Sequence, residues 1–205
     1  MYMTTIDLYT IQSWDRFYRA NFINSLSGFK SVCLIGTKSK DGMPNLAIFS
    51  NIVHLGADPA MIGFINRPKA AAPDTIRNIE ETGVYTINHI HSGIIDQAHQ
   101  TSAKYDAAIN EFDAVGLNML WRDGCAAPFV KESHIHYQLS LDAIIPIPSN
   151  GTFLVTGYVE SVYLSDDFRE ADGFLPLEKY QSITSLGIDG YYQTEKIKRL
   201  PYAKP

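Results

Sequence analysis

Polar residues within one apolar segment have the types and spacing to contact a flat, polar ligand. Residues 45–51 read NLAIFSN, a strand pattern that carries amide or hydroxyl side chains at Asn45, Ser50 and Asn51. The small side chain of Ala47 would let a planar molecule approach the strand backbone. The same residues are also typical of a turn followed by solvated strand positions, because short motifs of this kind recur by chance.

A second group of residues suits a phosphate. Arg67 and Lys69 precede a helix signal whose N-cap we expect at Asp74. The amides of a helix N-terminus, the Thr75 hydroxyl and the Arg67 guanidinium together would form an anion site. The charge of Asp74 opposes this assignment, so either Arg77 screens it or the phosphate lies nearer Arg67 and Thr75. An exposed basic loop without a ligand is the alternative interpretation.

Short apolar runs separated by turn residues indicate the elements that position these groups. The runs cover residues 32–35, 46–49, 61–65 and 84–87. Asp41-Gly42 and Asp58-Pro59 separate the first three runs, and a short helix ending at Gly83 precedes the fourth. This order predicts a β-barrel fragment with one helix across its mouth.

Five of these elements, in this order, resemble the flavin reductase-like family of FMN-binding split-barrel proteins. They are Gly36-Thr37, Asp41-Gly42, residues 45–50, Asp58-Pro59-Ala60 and residues 74–79. Ala60 stands where the family often has a second proline. Further matches at residues 110–117, 127–133 and 186–191 extend the resemblance over about residues 28 to 192.

The resemblance implies one flavin reductase-like domain over residues 1–205, mainly β with short helices, folded as an FMN-binding split β-barrel of Greek-key type. It implies a flavin reductase in which NAD(P)H passes a hydride to FMN. Since the cofactor carries the electrons, no catalytic side chain is predicted. Two alternatives stay open. One is a flavoredoxin-like protein that keeps FMN bound and exchanges electrons with an acceptor protein, and the other is a non-enzymatic cofactor-binding module.

The same resemblance, together with the residue types, gives the expected cofactor-binding residues. They are Asn45, Leu46, Ala47, Ile48, Phe49, Ser50, Asn51, Arg67, Thr75 and His134. His134 follows the 127–133 segment and is the expected hydrogen-bond donor to the flavin. The pairs His89/His91 and His134/His136 have a spacing that could ligate a metal on a strand, but no third ligand is identifiable, so no metal is predicted.

Composition excludes several classes of protein. The 205 residues suffice for one domain, and the net charge of −5 argues against a nucleic-acid-binding protein. No run of 18 apolar residues is present, so no transmembrane helix is expected. The first ten residues lack the basic region of a secretory signal, and Cys33 and Cys125 do not suggest a disulfide framework. The cytoplasm is therefore the expected location.

The segments outside the central unit are predicted as follows. Residues 11–28 form a helix capped by Ser13 and ended by Gly28. Its stripe of Trp14, Phe17, Tyr18 and Phe22 packs on the barrel or on a partner subunit. The family resemblance implies a homodimer with the flavin near the interface. Helices are further expected at residues 92–100 and 103–112, and strands at residues 127–133, 135–145 and 153–164.

Overall fold

The computed structural model describes residues 3–165, 167 and 169–204. Its helices are α1 Leu8–Ser13, α2 Arg16–Leu26, α3 Pro73–Thr82, α4 Ile95–Gln100 and α5 Glu111–Val115. Its strands are β1 Lys30–Ser31, β2 Cys33–Lys38, β3 Pro44–Phe49, β4 Ile52–Ala57, β5 Ala60–Asn66, β6 Val84–His89, β7 Met119–Leu120, β8 Phe129–Val130, β9 His136–Ile147, β10 Thr152–Tyr163, β11 Ile183–Leu186 and β12 Gly190–Gln193.

A seven-stranded antiparallel sheet with the order β3-β2-β6-β9-β10-β5-β4 forms the main body. The strands β3 and β4 follow one another in the chain, joined by Ser50 and Asn51, yet they lie at opposite edges of this sheet. The sheet therefore has to roll up until its edges meet. A ring contact joins the two sides, between Phe49 of β3 and Phe64 of β5, whose centroids lie 4.9 Å apart. The predicted mainly β split barrel is confirmed.

The two faces of the rolled sheet carry separate hydrophobic clusters. Inside lie buried side chains from five of its strands, namely Cys33, Ile35, Phe64, Tyr85, Ile87, Tyr137, Leu139 and Val155. The helix α3 adds Ile76 and Ile79 to this cluster, so it lies across one end of the barrel as predicted. On the outer face, Leu34 and Leu46 pack against Phe112 of α5 and Ala98 of α4.

The sequence predicted the C-terminal boundary of α3 correctly but not its N-terminal boundary. Gly83 adopts the left-handed conformation, with φ 70°, and ends the helix as predicted. The prediction of Asp74 as the N-cap is wrong. Pro73 is the first helical residue, a position that tolerates its missing N–H, and Ala72 occupies the cap. Asp74 instead lies in the first turn, where it pairs with Arg77 at 2.6 Å.

The predicted helix over residues 103–112 is wrong, because the chain turns until it reaches Asn110. The Asn110 side chain accepts the Phe112 N–H at 3.1 Å and caps α5, and Gly116 ends this helix with φ 74°. The predicted helix over residues 92–100 is present as a 3-10 turn, Ser92–Ile94, followed by α4. The strand expected at 127–133 shortens to β8, whereas β9 and β10 match the two long strands predicted from alternation.

The N-terminal helix is divided in two. Trp14 adopts an extended conformation after α1, and Asp15, not Ser13, caps α2 by accepting the Phe17 N–H at 2.8 Å. Neither helix contains a buried residue, and Phe17 and Tyr18 are 67% and 61% exposed. Packing of this aromatic stripe on the barrel of the same chain is therefore not observed. Within the described ranges, no helix is long and apolar enough to cross a bilayer.

A substitution at Gly36 of β2 can test how closely the hairpin β7–β8 approaches the main sheet. A Cβ at this position would lie 2.3 Å from the Pro128 carbonyl oxygen and 2.6 Å from the Thr86 hydroxyl. Overpacking of this kind costs about 1–3 kcal/mol, so we expect Gly36→Ala to lower the melting temperature by roughly 2–12 °C. Gly28→Asn is the control, because its φ of +75° suits asparagine and nothing lies within 4 Å. Equal melting temperatures for wild type and Gly36→Ala would contradict this account.

Candidate functional site

A cleft of about 390 Å³ runs along the outer edge of β3, at the seam of the rolled sheet. Its other walls are the loop between β5 and α3 and the segment 101–107. Nine of the ten residues expected from the sequence line it. They are Asn45, Leu46, Ala47, Ile48, Phe49, Ser50, Asn51, Arg67 and Thr75.

The edge of β3 offers backbone groups to this cleft. The Leu46 N–H points away from β2 and donates to the Glu111 carboxylate at 3.1 Å. Hydrogen-bonding direction alternates along an antiparallel ladder, so Ile48 directs its N–H the same way. Ala47 lies between them and presents no bulk. The edge therefore suits a planar ligand that carries both hydrogen-bond donors and acceptors.

A buried polar network holds the strand and α3 together at one end of the cleft. The Asn45 amide nitrogen donates to the hydroxyls of Thr37 at 3.1 Å and Thr75 at 3.2 Å. Asn78 of α3 also donates to Thr37, at 3.1 Å. Since the Thr75 oxygen accepts from Asn45, its own proton is free to be donated into the cleft.

Two of the charges that line the cleft favour an anion. Arg67 on one wall and Lys104 on another have no ion-pair partner among the described residues. Arg77 neutralises Asp74, which answers the repulsion expected from the sequence. Lys69 instead pairs with Glu80 at 2.5 Å and is not among the residues that line the cleft. Two unpaired cations and the Thr75 hydroxyl, all lining one cleft, match the needs of a phosphate monoester.

Sequence reasoning missed the segment 101–107 and Glu111, which also line the cleft. Lys104 lies in a segment that was predicted to be helical, and nothing in its local sequence marks it as a ligand. Glu111 approaches β3 from a position 65 residues further along the chain. Burial raises the pKa of the Glu111 carboxyl, the Leu46 N–H opposes this shift, and the nearby Asp74 adds to it.

His134 is not among the residues lining the cleft. It stacks on His91 with ring centroids 4.2 Å apart, and its Nδ1 donates to the Tyr180 carbonyl at 3.0 Å. Burial lowers the pKa of His89 to about 4, and burial together with Arg122 lowers that of His136 to about 4. Over the described part of the chain, no group of three His, Cys, Asp or Glu side chains is arranged to hold a metal.

The cleft fits a flavin mononucleotide. Its volume lies in the range of small-molecule sites, about 300–1,000 Å³. Its unpaired cations and its strand edge supply the two kinds of contact that a phosphate and a flat ring require. Residues 29–184 match the family described as the flavin reductase like domain. The chain belongs to the flavin reductase-like family.

Solved structures agree with this membership. A split-barrel protein from Shewanella frigidimarina, assigned as a flavin reductase, is 43% identical with a TM-score of 0.95, covering 98% of this chain and 100% of that chain. Nitrilotriacetate monooxygenase component B from Bacillus cereus is 20% identical, with a TM-score of 0.85 and coverage of 98% and 100%. Flavoredoxin of Desulfovibrio vulgaris is also 20% identical, with a TM-score of 0.74 and coverage of 86% and 92%. The last two show likeness of fold.

The polar network of this flavin reductase-like domain gives a stability prediction. Asn45→Ala removes the donor to Thr37 and Thr75, so we expect the free energy of unfolding to fall by about 1–3 kcal/mol in urea titrations. Ser50→Ala is the control, because the Ser50 side chain makes no hydrogen bond within the described residues. It should change stability by less than about 0.5 kcal/mol. A loss for Asn45→Ala no larger than that of the control would be evidence against the network.

Proposed function

We propose that this protein binds FMN in the seam cleft and catalyses its reduction by NAD(P)H. The observation that carries the proposal is the unpaired edge of β3, which lines one cleft together with Ser50, Asn51, Arg67 and Thr75. Family membership supports flavin-dependent oxidoreductase chemistry. FMN, when bound, would supply the acceptor for the hydride.

Different residues of the cleft would bind different parts of FMN. Arg67, Lys104 and the Thr75 hydroxyl would hold the phosphate by charge and by hydrogen bonding. Ser50 and Asn51 would contact the ribityl chain, and the outward amide of Ile48 would hydrogen-bond to the ring edge. These groups bind and orient FMN, and none has to transfer a proton during hydride transfer.

A visible absorption spectrum tests this function directly. We expect the purified protein to bind FMN and the flavin absorption to bleach after NADH or NADPH is added without oxygen. Repeated reduction of excess FMN would identify FMN as a substrate. Reduction of one bound FMN per chain, followed by electron transfer to a protein, would favour the flavoredoxin-like alternative. A colourless protein that fails to take up FMN would contradict both.

We also infer that the protein is a homodimer, because a single chain exposes too much surface. Its accessible area is 12633 Å², whereas a compact monomer of 22.9 kDa exposes about 9,600 Å². The excess of about 3,000 Å² is larger than the ~800 Å² that each partner buries in a standard interface. Large apolar side chains are exposed on both terminal segments, among them Phe17, Tyr18, Ile197, Leu200 and Tyr202.

Light scattering checks the assembly. We expect the mass of two chains at micromolar concentration, because burial of the exposed aromatic side chains of α2 stabilises association. Changing Phe17 and Tyr18 together to serine should shift the equilibrium towards one chain. A single-chain mass for the wild type at this concentration would refute the inference that the protein is a homodimer.

Arg67→Ala tests the phosphate end of the cleft. Loss of a charge-assisted contact worth about 1.5–3 kcal/mol should weaken FMN binding roughly 10- to 100-fold. The variant should also show a shallower decline of affinity with salt, since one screened attraction is gone. Thr75→Val should give a smaller loss. Riboflavin, which lacks the phosphate, is the control and should bind wild type and variants alike. If Arg67→Ala weakened riboflavin binding as much as FMN binding, Arg67 would act on the ring or the fold and the phosphate site would lie elsewhere.

Ala47→Trp tests the wall that faces the ring. We expect the indole to occupy the space beside the edge of β3 and to abolish FMN binding in equilibrium titrations. The protein should remain folded, because Ala47 is partly exposed and lines the cleft. Ala47→Ser is the matched control and should retain binding. If Ala47→Trp loses its folded circular dichroism spectrum together with FMN binding, then Ala47 is a core position and does not form a ligand wall.

A further inference from the structure

Glu111 lies where the seam cleft meets a second cavity of about 340 Å³. Its position is fixed from two sides. The adjacent Phe112 is fully buried and anchors α5, and the Glu111 carboxylate accepts the Leu46 N–H at 3.1 Å. The carboxyl therefore stays beside the strand edge that, under the proposed function, contacts the flavin ring.

The charged groups around Glu111 leave its negative charge uncompensated. It makes no ion pair within the described residues. On α3, Arg77 is committed to Asp74 and does not pair with Glu111. The second cavity adds Asp41 and Glu81.

The remaining charges of the seam cleft lie on its other walls. They are Arg67 of the β5–α3 loop and Lys104 and Asp106 of the segment 101–107. The two cations are assigned to the phosphate, and Asp106 is exposed. Glu111 is thus a partly buried carboxylate of the seam cleft that has no ion-pair partner among the described residues, whereas Asp74 is paired with Arg77.

Burial raises the pKa of the Glu111 carboxyl, and Asp74 contributes in the same direction against the opposing Leu46 hydrogen bond. A carboxyl in this environment resists ionisation, so any further negative charge nearby makes it hold its proton more strongly. Hydride transfer supplies such a charge. NAD(P)H loses a hydride and becomes NAD(P)⁺, and the flavin ring gains one hydrogen, two electrons and one negative charge.

We propose that Glu111 makes this cleft bind oxidised FMN more tightly than reduced FMN, and that protonation of Glu111 diminishes the difference. The inference rests on the proposed function and assigns FMN the role of a substrate whose reduced form is released. The reaction that consumes this product would be one that uses free reduced flavin. A unit charge within about 12 Å, at an effective dielectric constant of about 20, changes affinity about tenfold.

Glu111→Gln is the decisive variant, because its amide oxygen can still accept the Leu46 N–H. Dissociation constants for oxidised and dithionite-reduced FMN would be measured without oxygen at pH 6 and pH 8. We expect the ratio of the reduced to the oxidised constant at pH 8 to fall about tenfold in the variant, a shift of about +30 mV in the two-electron potential of the bound flavin. The ratio should also lose the part of its pH dependence that Glu111 supplies. The phosphate is common to both redox states, so its titration largely cancels.

Asp106→Asn is the matched control. It also removes one negative charge from the cleft, but the Asp106 side chain is exposed and screened, so its ratio should change much less. If both variants changed the ratio equally, the effect would be one of overall charge and the role of Glu111 would be overturned.

Identical ratios and pH dependence in wild type and Glu111→Gln, with FMN still bound, would also overturn the inference and leave the proposed function standing. Failure of the wild type to bind FMN would refute both the proposed function and the inference about Glu111. Carbon-13 NMR of the Glu111 carboxyl in the wild type decides the matter even if the variant does not fold. Its pKa should rise on FMN binding and again, by about one unit, on reduction of the flavin. A pKa that does not rise on reduction would refute the proposal.

Discussion

The short connection between β3 and β4 is the constraint on which the rest of the structure depends. Ser50 and Asn51 join strands that lie at opposite edges of one sheet, so the edges must come together. They meet through the ring contact between Phe49 and Phe64 and not through a continuous ladder, and β3 retains a free side. The seam cleft is the direct consequence. A longer connection would have allowed the sheet to stay open, with no enclosed space along this edge.

The polar side chains at the seam also have a structural role. Asn45, Thr37, Thr75 and Asn78 connect two strands to α3 by hydrogen bonds in a region from which water is excluded. Buried polar groups are stable only when they are paired, so this network fixes the helix relative to the barrel. The end of the cleft at Thr75 is therefore preorganised before any ligand arrives.

Local patterns made most of the fold predictable, and together with the family resemblance they indicated most of the residues expected in the candidate cleft. The alternation in β9 and β10 and the stop at Gly83 depend on neighbouring residues, and seven of the nine expected cleft residues form one continuous run, residues 45–51. The failures have a different origin. At Asn110 and at Asp15, a side chain caps a new helix, so the chain turns or breaks there although the apolar spacing predicted one continuous helix. Glu111 reaches β3 across 65 positions, a contact that tertiary packing alone creates.

The hydrogen bond from Leu46 to Glu111 has a consequence for solubility. An unpaired strand edge can recruit a strand from another molecule and start aggregation. Along the outward side of β3, Pro44 has no N–H and the Leu46 N–H is already bound, which leaves the Ile48 amide. An incoming strand would find one donor where a regular ladder needs several. The edge that is open to a small ligand is thus a poor template for a growing sheet.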